Sequence, residues 1–228
     1  MPPDAILKIG GSLGRGDGLR RLCREITRLG ERHSLLVVPG GGMFADLVRK
    51  SYREYKLGET AAHSMALLAM DQYGYLLSHL IENSALATDP ASAVRISMPA
   101  HVPVLLPSAS VLHDRRLPHS WDVTSDTIAA WVAYETGCRK LVLLKDVEGL
   151  NSWDTTRGHQ PIREMTVQQL TKHAGGVDAY LAGFLSFKNL ETWIINGLKP
   201  ERIRELLDSG STAGTRIAPD FRQGSKSF

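Results

Sequence analysis

The 228-residue sequence predicts an α/β fold with a mainly parallel central sheet. Short apolar runs alternate with segments of helical periodicity, which is the pattern of parallel strands joined by crossover helices. The first two of these predicted strands both end in glycine loops, where open parallel sheets bind their ligands. No repeat and no linker-like stretch interrupts the pattern, so we expect a single domain over residues 1–228.

Six apolar runs of strand length predict the sheet. They lie at residues 5–9, 35–38, 102–106, 141–144, 191–195 and 215–217. Pro103, within the third run, suggests the edge or the end of a strand, because proline cannot donate to a ladder.

Six segments with apolar residues three to four positions apart predict the helices. They lie at residues 19–29, 44–55, 61–82, 127–134, 167–172 and 200–207. Residues 14–18 and 152–158 are predicted to be mobile loops, and residues 222–228 a frayed tail.

Composition argues against several classes of function. The formal charge is +3, from 27 Lys and Arg against 24 Asp and Glu, without the basic stripe of a nucleic-acid binder. No apolar run approaches the roughly 18 residues that span a bilayer, so no membrane partner is expected. Cys23 and Cys138 lack metal-ligand spacing and are predicted to be reduced core thiols. Since the N-terminus also lacks a basic signal-peptide region, we expect a cytoplasmic protein.

The first candidate phosphate loop is Lys8-Ile9-Gly10-Gly11-Ser12, at the end of the first predicted strand. The strand delivers an ammonium group next to two glycines, whose bare backbone lets amide groups approach a ligand closely. Such a nest of amides suits phosphate oxygens. Taken alone, the motif fits a strand-to-helix turn with a surface lysine equally well.

A second loop, formed by Gly40, Gly41 and Gly42, closes the next predicted strand. The carboxyl ends of parallel strands meet at one edge of a sheet, so the two glycine loops are expected to face one crevice. Three consecutive glycines carry an entropic cost that an ordinary turn does not require. The two loops together therefore favour a ligand site.

A third motif, residues 121–126, precedes an apolar helix. Capping of the helix explains Thr124 or Ser125, and the helix dipole favours Asp126 in the first turn. Neither effect explains the whole segment beside Trp121.

These three motifs and the loop at residues 143–149 occur in the order of the amino acid kinase family, which the chain resembles over nearly its whole length. Residues 177–179 and 195–200 resemble the C-terminal part of uridylate kinases. The resemblance implies a three-layer αβα sandwich on a mainly parallel central sheet. It also implies an ATP-dependent small-molecule kinase, with the acceptor in the N-terminal half and ATP·Mg²⁺ in the C-terminal half. It also implies a homo-oligomer, since members of the family form dimers to hexamers.

The resemblance assigns roles on the acceptor side. Lys8 would stabilise charge on the transferring phosphoryl group, and Asp126 would orient Lys8. Gly10 and Gly11 would donate backbone N–H bonds to that group. The remaining residues expected to border the phosphate and the acceptor are Ser12, Gly40, Gly41 and Gly42.

On the nucleotide side, Lys145, Asp146 and Gly149 match the family's nucleotide loop. A second catalytic lysine is expected from the C-terminal half, with Lys145 preferred over Lys172 and Lys188. No separate metal-ligating set is assigned, and Mg²⁺ is expected together with ATP.

Within the family the chain is most similar to small kinases of methanofuran biosynthesis, which phosphorylate an aminomethylfuran phosphate. The resemblance lies in residues 61–66, 70–74 and 121–126. Asp71 or Asp122 is a candidate to hold the acceptor ammonium, and Trp121 to stack on a flat ring. Asp71 is equally consistent with a solvated helix residue, and His63 is interpreted as a surface or core histidine.

Two other functions stay open at this point. One is a uridylate kinase-like activity on a nucleoside monophosphate, and the other is a non-catalytic nucleotide-binding or storage module. The presence of both Lys8 and Asp126 argues against the module, because binding alone has no electrostatic need for that pair. Arg49 and Arg53 are interpreted as surface residues, with contact to an acceptor phosphate as the alternative. Neither a Rossmann nor a P-loop glycine pattern is present.

Overall fold

The computed structural model describes residues 1–14, 16–154, 158–173, 175–186 and 188–219. The strands are β1 (Ala5–Ile9), β2 (Leu35–Pro39), β3 (Ser84–Ala87), β4 (Val102–Leu105), β5 (Lys140–Lys145), β6 (Asn151–Asp154), β7 (Gly158–Pro161), β8 (Glu164–Thr166), β9 (Glu191–Asn196) and β10 (Thr215–Ala218). The helices are α1 (Gly18–Gly30), α2 (Gly42–Tyr55), α3 (Glu59–Leu80), α4 (Pro90–Ile96), α5 (Ser108–Val111), α6 (Ser125–Thr136), α7 (Val167–Thr171), α8 (Leu181–Leu185) and α9 (Glu201–Ser209).

The main sheet has the strand order β3-β4-β2-β1-β5-β9-β10-β8. Among the described strands of this sheet every neighbouring pair is parallel except β9 and β10, which are antiparallel. Strands β6 and β7 form a separate antiparallel hairpin. The predicted αβα architecture on a mainly parallel sheet is confirmed.

Both faces of the sheet are covered, and successive residues of a strand point to opposite faces. Ile6 of β1 and Leu143 of β5 belong to one apolar core, which α6 also fills. Leu7 and Leu144 belong to the second core, which α1 fills from the other side. Lys8 follows the alternation and lies on the face of Ile6, so that its side chain points toward α6.

The six predicted strands and six predicted helices are present, with bounds that differ by a few residues. Pro103 is the second residue of β4, near its start, and β4 lies one position inside the sheet edge formed by β3. The region predicted to be a mobile loop at 152–158 instead contributes to the hairpin of β6 and β7, and residues 155–157 lie outside the described residues. The predicted tail at 222–228 also lies outside them.

Cys23 and Cys138 are buried free thiols, as predicted. Within the described ranges we find no helix with the length and apolar character required to cross a bilayer.

Candidate active site

A crevice of about 490 Å³ opens where β1, β2 and β5 end. The parallel direction of these three strands places their carboxyl ends at one edge of the sheet, as the two glycine loops predicted. The predicted site residues that line it are Lys8, Gly10, Gly11, Ser12, Gly41, Gly42, Asp126, Lys145 and Asp146.

Two lysines share one carboxylate inside the crevice. Lys8 Nζ lies 2.8 Å from Asp126 Oδ1, and Lys145 Nζ lies 2.6 Å from Asp126 Oδ2. The side chains of Lys8 and Asp126 are only 5% and 4% exposed, and that of Lys145 is 18% exposed. The three groups together carry one net positive charge, which suits a phosphate ligand.

The fold explains why these three side chains meet. Lys8 is the fourth residue of β1, and Lys145 is the last residue of the adjacent strand β5. Asp126 lies in the first turn of α6, which packs across the same face of the sheet. The Asp126 carboxylate therefore contacts a lysine side chain from each of the two strands.

Burial and charge pull the pKa values of this group in opposite directions. Burial alone raises the pKa of Asp126, but attraction to Lys8 and Lys145 outweighs it and holds the pKa below its ordinary value. Burial lowers the pKa of Lys8, and the Asp126 carboxylate opposes that shift. Asp126 is consequently ionised at neutral pH and serves as the counter-ion of both lysines.

Two glycines of the loops donate their amides to neighbouring strands. The Gly10 amide donates to the Leu144 carbonyl at 2.9 Å, and the Gly40 amide donates to the Ile9 carbonyl at 2.8 Å. The bond from the Gly10 N–H to β5 therefore gives no support to the prediction that Gly10 donates to a phosphoryl group. Gly40 does not line the crevice, and a Cβ added there would lie 2.9 Å from the Ile9 carbonyl oxygen and 3.0 Å from Gly11 N.

Gly11 and Gly42 bring the two loops into direct backbone contact. A Cβ added at Gly11 would lie 2.6 Å from Gly42 N and 2.8 Å from Gly42 Cα, so the loops have no room for a side chain. Gly42 also has a φ of 54°, in the region that favours glycine, at the first residue of α2. The first backbone N–H groups of α2 have no partner within the helix, and α2 begins at this crevice.

We expect Gly11→Ala to lower kcat/KM about 100-fold and the free energy of unfolding by about 1–3 kcal/mol, because backbone must move to admit the methyl group. Steady-state kinetics and urea denaturation check both values. Gly183→Ala is the matched control, since an added Cβ there meets nothing within 4 Å. Equal behaviour of the two variants would contradict the close contact between the loops.

Asp178 holds the start of α6 in place, which the sequence alone did not reveal. Its Oδ2 accepts from the amide and the hydroxyl of Thr124, at 3.1 and 2.9 Å, and from the Thr127 amide at 2.9 Å. Its Oδ1 accepts from the Thr127 hydroxyl and the Leu181 amide. Burial raises the pKa of Asp178 despite these bonds. This carboxylate ties α8 to the turn that carries Asp126.

Glu148 holds the nucleotide loop in place in a similar way. Its carboxylate bonds to Asn196 Nδ2 at 2.7 Å, to Lys199 Nζ at 3.0 Å and to the Arg202 guanidinium. Gly149 follows with a φ of 141°, packed against Thr215, and does not line the crevice. The loop that begins with Lys145 is thus anchored to β9, α9 and β10.

The contacts of Glu148 predict a pH-dependent contribution to stability. Hydrogen bonds from Lys199, Asn196 and Arg202 lower its pKa from 4.5 to about 2. A lowered pKa stabilises the folded state above pH 4.5, and this contribution is lost as the pH falls toward 2. We expect Glu148→Gln to be less stable than wild type at pH 7 and equally stable near pH 2, as measured by urea denaturation. Glu31→Gln, at the exposed end of α1, is the control, and a pH-independent difference for Glu148→Gln would contradict the linkage.

Besides Gly40, three predicted acceptor residues lie outside the crevice. Asp71 accepts from the Ser108 amide at 3.2 Å and from the Ser108 hydroxyl, so it caps the start of α5. Asp122 has an exposed side chain and lines neither this crevice nor the smaller cavity beside it. Trp121 lines that smaller cavity, with its ring edge-to-face against Tyr52 at 5.5 Å. The positions of Asp71 and Asp122 therefore give no support to an ammonium-binding role.

Arg49 lines both the crevice and the smaller cavity. Its Nη1 lies 2.7 Å from Asp46 Oδ1, and its side chain is 54% exposed. Of its two sequence interpretations, the position at the crevice now favours contact with an acceptor phosphate. Met43 and Tyr73, which the sequence did not single out, also contribute to the wall.

A model of the amino acid kinase family matches residues 5–196, well over half of the chain. The chain belongs to the amino acid kinase family. It is 25% identical over 214 residues to a [5-(aminomethyl)furan-3-yl]methyl phosphate kinase of Methanocaldococcus jannaschii, covering 93% of this chain and 96% of that protein. It is 23% identical over 219 residues to a uridylate kinase of Thermococcus kodakarensis, covering 89% and 92% of the two.

Solved structures of this kinase family share the fold. Uridylate kinase from Archaeoglobus fulgidus aligns with a TM-score of 0.75 at 23% identity, covering 96% of this chain and 100% of that one. UMP kinase from Bacillus anthracis aligns with a TM-score of 0.75 at 16% identity, covering 97% and 98%. The family resemblance stated from the motifs is confirmed.

Proposed function

We propose that the protein is an ATP-dependent phosphotransferase whose acceptor is a small phosphate-bearing molecule such as an aminomethylfuran phosphate. The observation that carries the proposal is the Asp126 carboxylate held between two lysine ammonium groups in a glycine-walled crevice. Phosphoryl transfer needs positioned positive charge more than covalent chemistry from the protein. This arrangement supplies that charge with its orientation already fixed.

In the proposed reaction an oxygen of the acceptor phosphate attacks the γ-phosphorus of ATP, and ADP leaves. Lys8 stabilises charge on the transferring group, and Lys145, at the start of the nucleotide loop, does so on the ATP side. Asp126 takes no proton in this scheme. It holds both ammonium groups in position, because its pKa is kept below its ordinary value by the two lysines.

The residues of the crevice fit an Mg²⁺ ion that arrives with ATP. Kinases typically hold Mg²⁺ through one or two carboxylates and the substrate phosphates. Asp146 lines the crevice and is the carboxylate that would take this role. In the described ranges no three His, Cys, Asp or Glu side chains cluster as a metal site, so an all-protein cage is not what the crevice offers. When bound, the ion neutralises charge on the ATP phosphates.

The acceptor proposal rests on one relative and one position. The Methanocaldococcus relative is named for a furan that carries both an aminomethyl group and a phosphate. Arg49 lines both the crevice and the smaller cavity, and guanidinium groups bind phosphate well. The uridylate kinase relative supports UMP as the second candidate acceptor.

The test is ADP release from Mg·ATP by the purified protein with [5-(aminomethyl)furan-3-yl]methyl phosphate, UMP, isopentenyl phosphate and acidic amino acids. The proposal expects strong turnover with the furan alone. Turnover with UMP alone would assign the protein a uridylate kinase activity instead. No ADP release with any of these acceptors, together with tight ATP binding by calorimetry, would favour the non-catalytic module. A homo-oligomeric, cytoplasmic enzyme remains our prediction, and light scattering of the purified chain tests its oligomeric state.

A further inference from the structure

A small cavity of about 40 Å³ adjoins the crevice and shares Gly41, Arg49, Thr124 and Ser125 with it. Most of its remaining wall is apolar, formed by Ala45, Ala66, Leu67, Met70, Val123 and Ile128. The other two wall residues are His63 of α3 and Trp121. An acceptor whose phosphate lies in the crevice would therefore place its body in this apolar cavity.

Two side chains of the cavity wall each carry an unsatisfied polar atom. His63 Nε2 and Trp121 Nε1 are both sealed from water and have no hydrogen-bond partner among the described residues. His63 is only 4% exposed, and its ring stacks on that of His119 at 5.0 Å. Leaving a buried polar atom without a partner is costly, so a ligand that bonds to both atoms would recover that cost.

The protonation of His63 decides what it can bind. Burial lowers the pKa of His63, the nearby His119 lowers it further, and a backbone hydrogen bond with Ser120 opposes the shift. A lowered pKa favours the neutral ring, in which one of the two nitrogens can accept a hydrogen bond. Nε2 is the nitrogen that lacks a partner among the described residues.

The size of the cavity limits the body of the acceptor. A single water needs roughly 10–15 Å³ of such space, so about 40 Å³ holds a small five-membered ring. A nucleoside brings a base and a ribose and exceeds this volume. No Asp or Glu stands among the described residues of the wall, so an amine on the ring must find an uncharged acceptor.

Resting on the proposed function, we infer that His63 and Trp121 select the acceptor by forming hydrogen bonds with the polar edge of a small amine-bearing ring. His63 Nε2 accepts a hydrogen bond from the amine, and Trp121 Nε1–H donates to the ring oxygen. His63 therefore binds the amine, in place of Asp71 or Asp122, for which the sequence suggested this role. Both residues act on binding and positioning, while transfer itself stays with Lys8, Asp126 and Lys145.

The test compares [5-(aminomethyl)furan-3-yl]methyl phosphate with its deaminated analogue, (5-methylfuran-3-yl)methyl phosphate, by kcat/KM from ADP release. Sites built to bond an N–H discriminate strongly against analogues that lack it, so wild type should prefer the amine by roughly 100-fold or more. His63→Phe keeps a ring but removes the acceptor nitrogen. His63→Phe should abolish this preference because kcat/KM falls for the amine-bearing furan alone, mainly through a higher KM.

His63→Gln restores an acceptor oxygen and should recover part of the preference. Trp121→Phe, which removes only the donor, should lower kcat/KM for both furans. His79→Phe, an exposed position on the same helix, is the matched control. If His63→Phe leaves the ratio of kcat/KM for the two furans as in wild type, even by lowering both values equally, the inference fails while the proposed function stands. If wild type phosphorylates neither furan but accepts UMP, the proposed function itself fails and this inference with it.

Discussion

Lys8→Ala is expected to lower kcat by roughly 10³-fold or more with little change in the KM for ATP. Positive groups aimed at a transferring phosphoryl group contribute on this scale, because their stabilisation is realised in the transition state. The fold should survive the change, since Asp126 keeps Lys145 as a partner at 2.6 Å. The loss of stability should therefore remain below the roughly 3–5 kcal/mol that a fully orphaned buried charge costs.

Steady-state kinetics and urea denaturation on the same preparation separate these two effects. Lys140→Ala is the matched control, because Lys140 begins β5 at the opposite end of the strand from Lys145. Its activity should stay within about twofold of wild type, as expected for a substitution away from the features that stabilise the fold and the crevice. Near-wild-type turnover by Lys8→Ala would rule out its proposed role as the phosphoryl clamp.

Asp126→Asn is expected to lower both activity and stability. The substitution leaves two ammonium groups in a buried crevice without their counter-ion, so the free energy of unfolding should fall by about 3–5 kcal/mol. We expect kcat to fall about 100-fold or more with a modest change in the KM for ATP, because misplaced lysines fail chiefly in the transition state. A change confined to KM would count against the orienting role.

A double variant sharpens this test. Lys8→Ala combined with Asp126→Asn should lose little more activity than Lys8→Ala alone, since residues that act as one unit are strongly non-additive. Asp208→Asn, on the exposed face of α9, is the control for loss of a paired carboxylate far from the crevice. Losses from Lys8→Ala and Asp126→Asn that simply multiply would show that the two side chains act independently.

The order of strands, glycine loops and helices was sufficient to predict parallel strands joined by helices, because buried parallel strands give continuous apolar runs such as residues 141–144. The αβα sandwich followed from the resemblance to the family. Elements with weak patterns were missed. The strand Ser84–Ala87 is a short edge strand with two alanines and a serine, and α8 has only five residues. Neither segment is long enough to show a period.

The candidate site was predictable where residue type and strand position coincide, as for Lys8 and the glycine loops. Contacts between segments far apart in the chain were not. Asp178 caps a helix more than fifty residues earlier, and nothing near Asp178 in the sequence indicates that partner. The bond from the Gly10 amide to Leu144 likewise depends on β5 lying beside β1, which only the sheet order reveals.

The small cavity and the two lysines of the crevice belong to separate segments. The side chains of the cavity come largely from α2, α3 and residues 121–128, whereas Lys8 and Lys145 project from the central strands. Asp126 lies on α6 next to Ser125 of the cavity wall. Substitutions at positions such as 63 or 70 therefore alter what the cavity admits without displacing either lysine. Descendants of one ancestral kinase can in this way acquire new acceptors through a few changes in two helices, while the machinery of transfer is inherited intact.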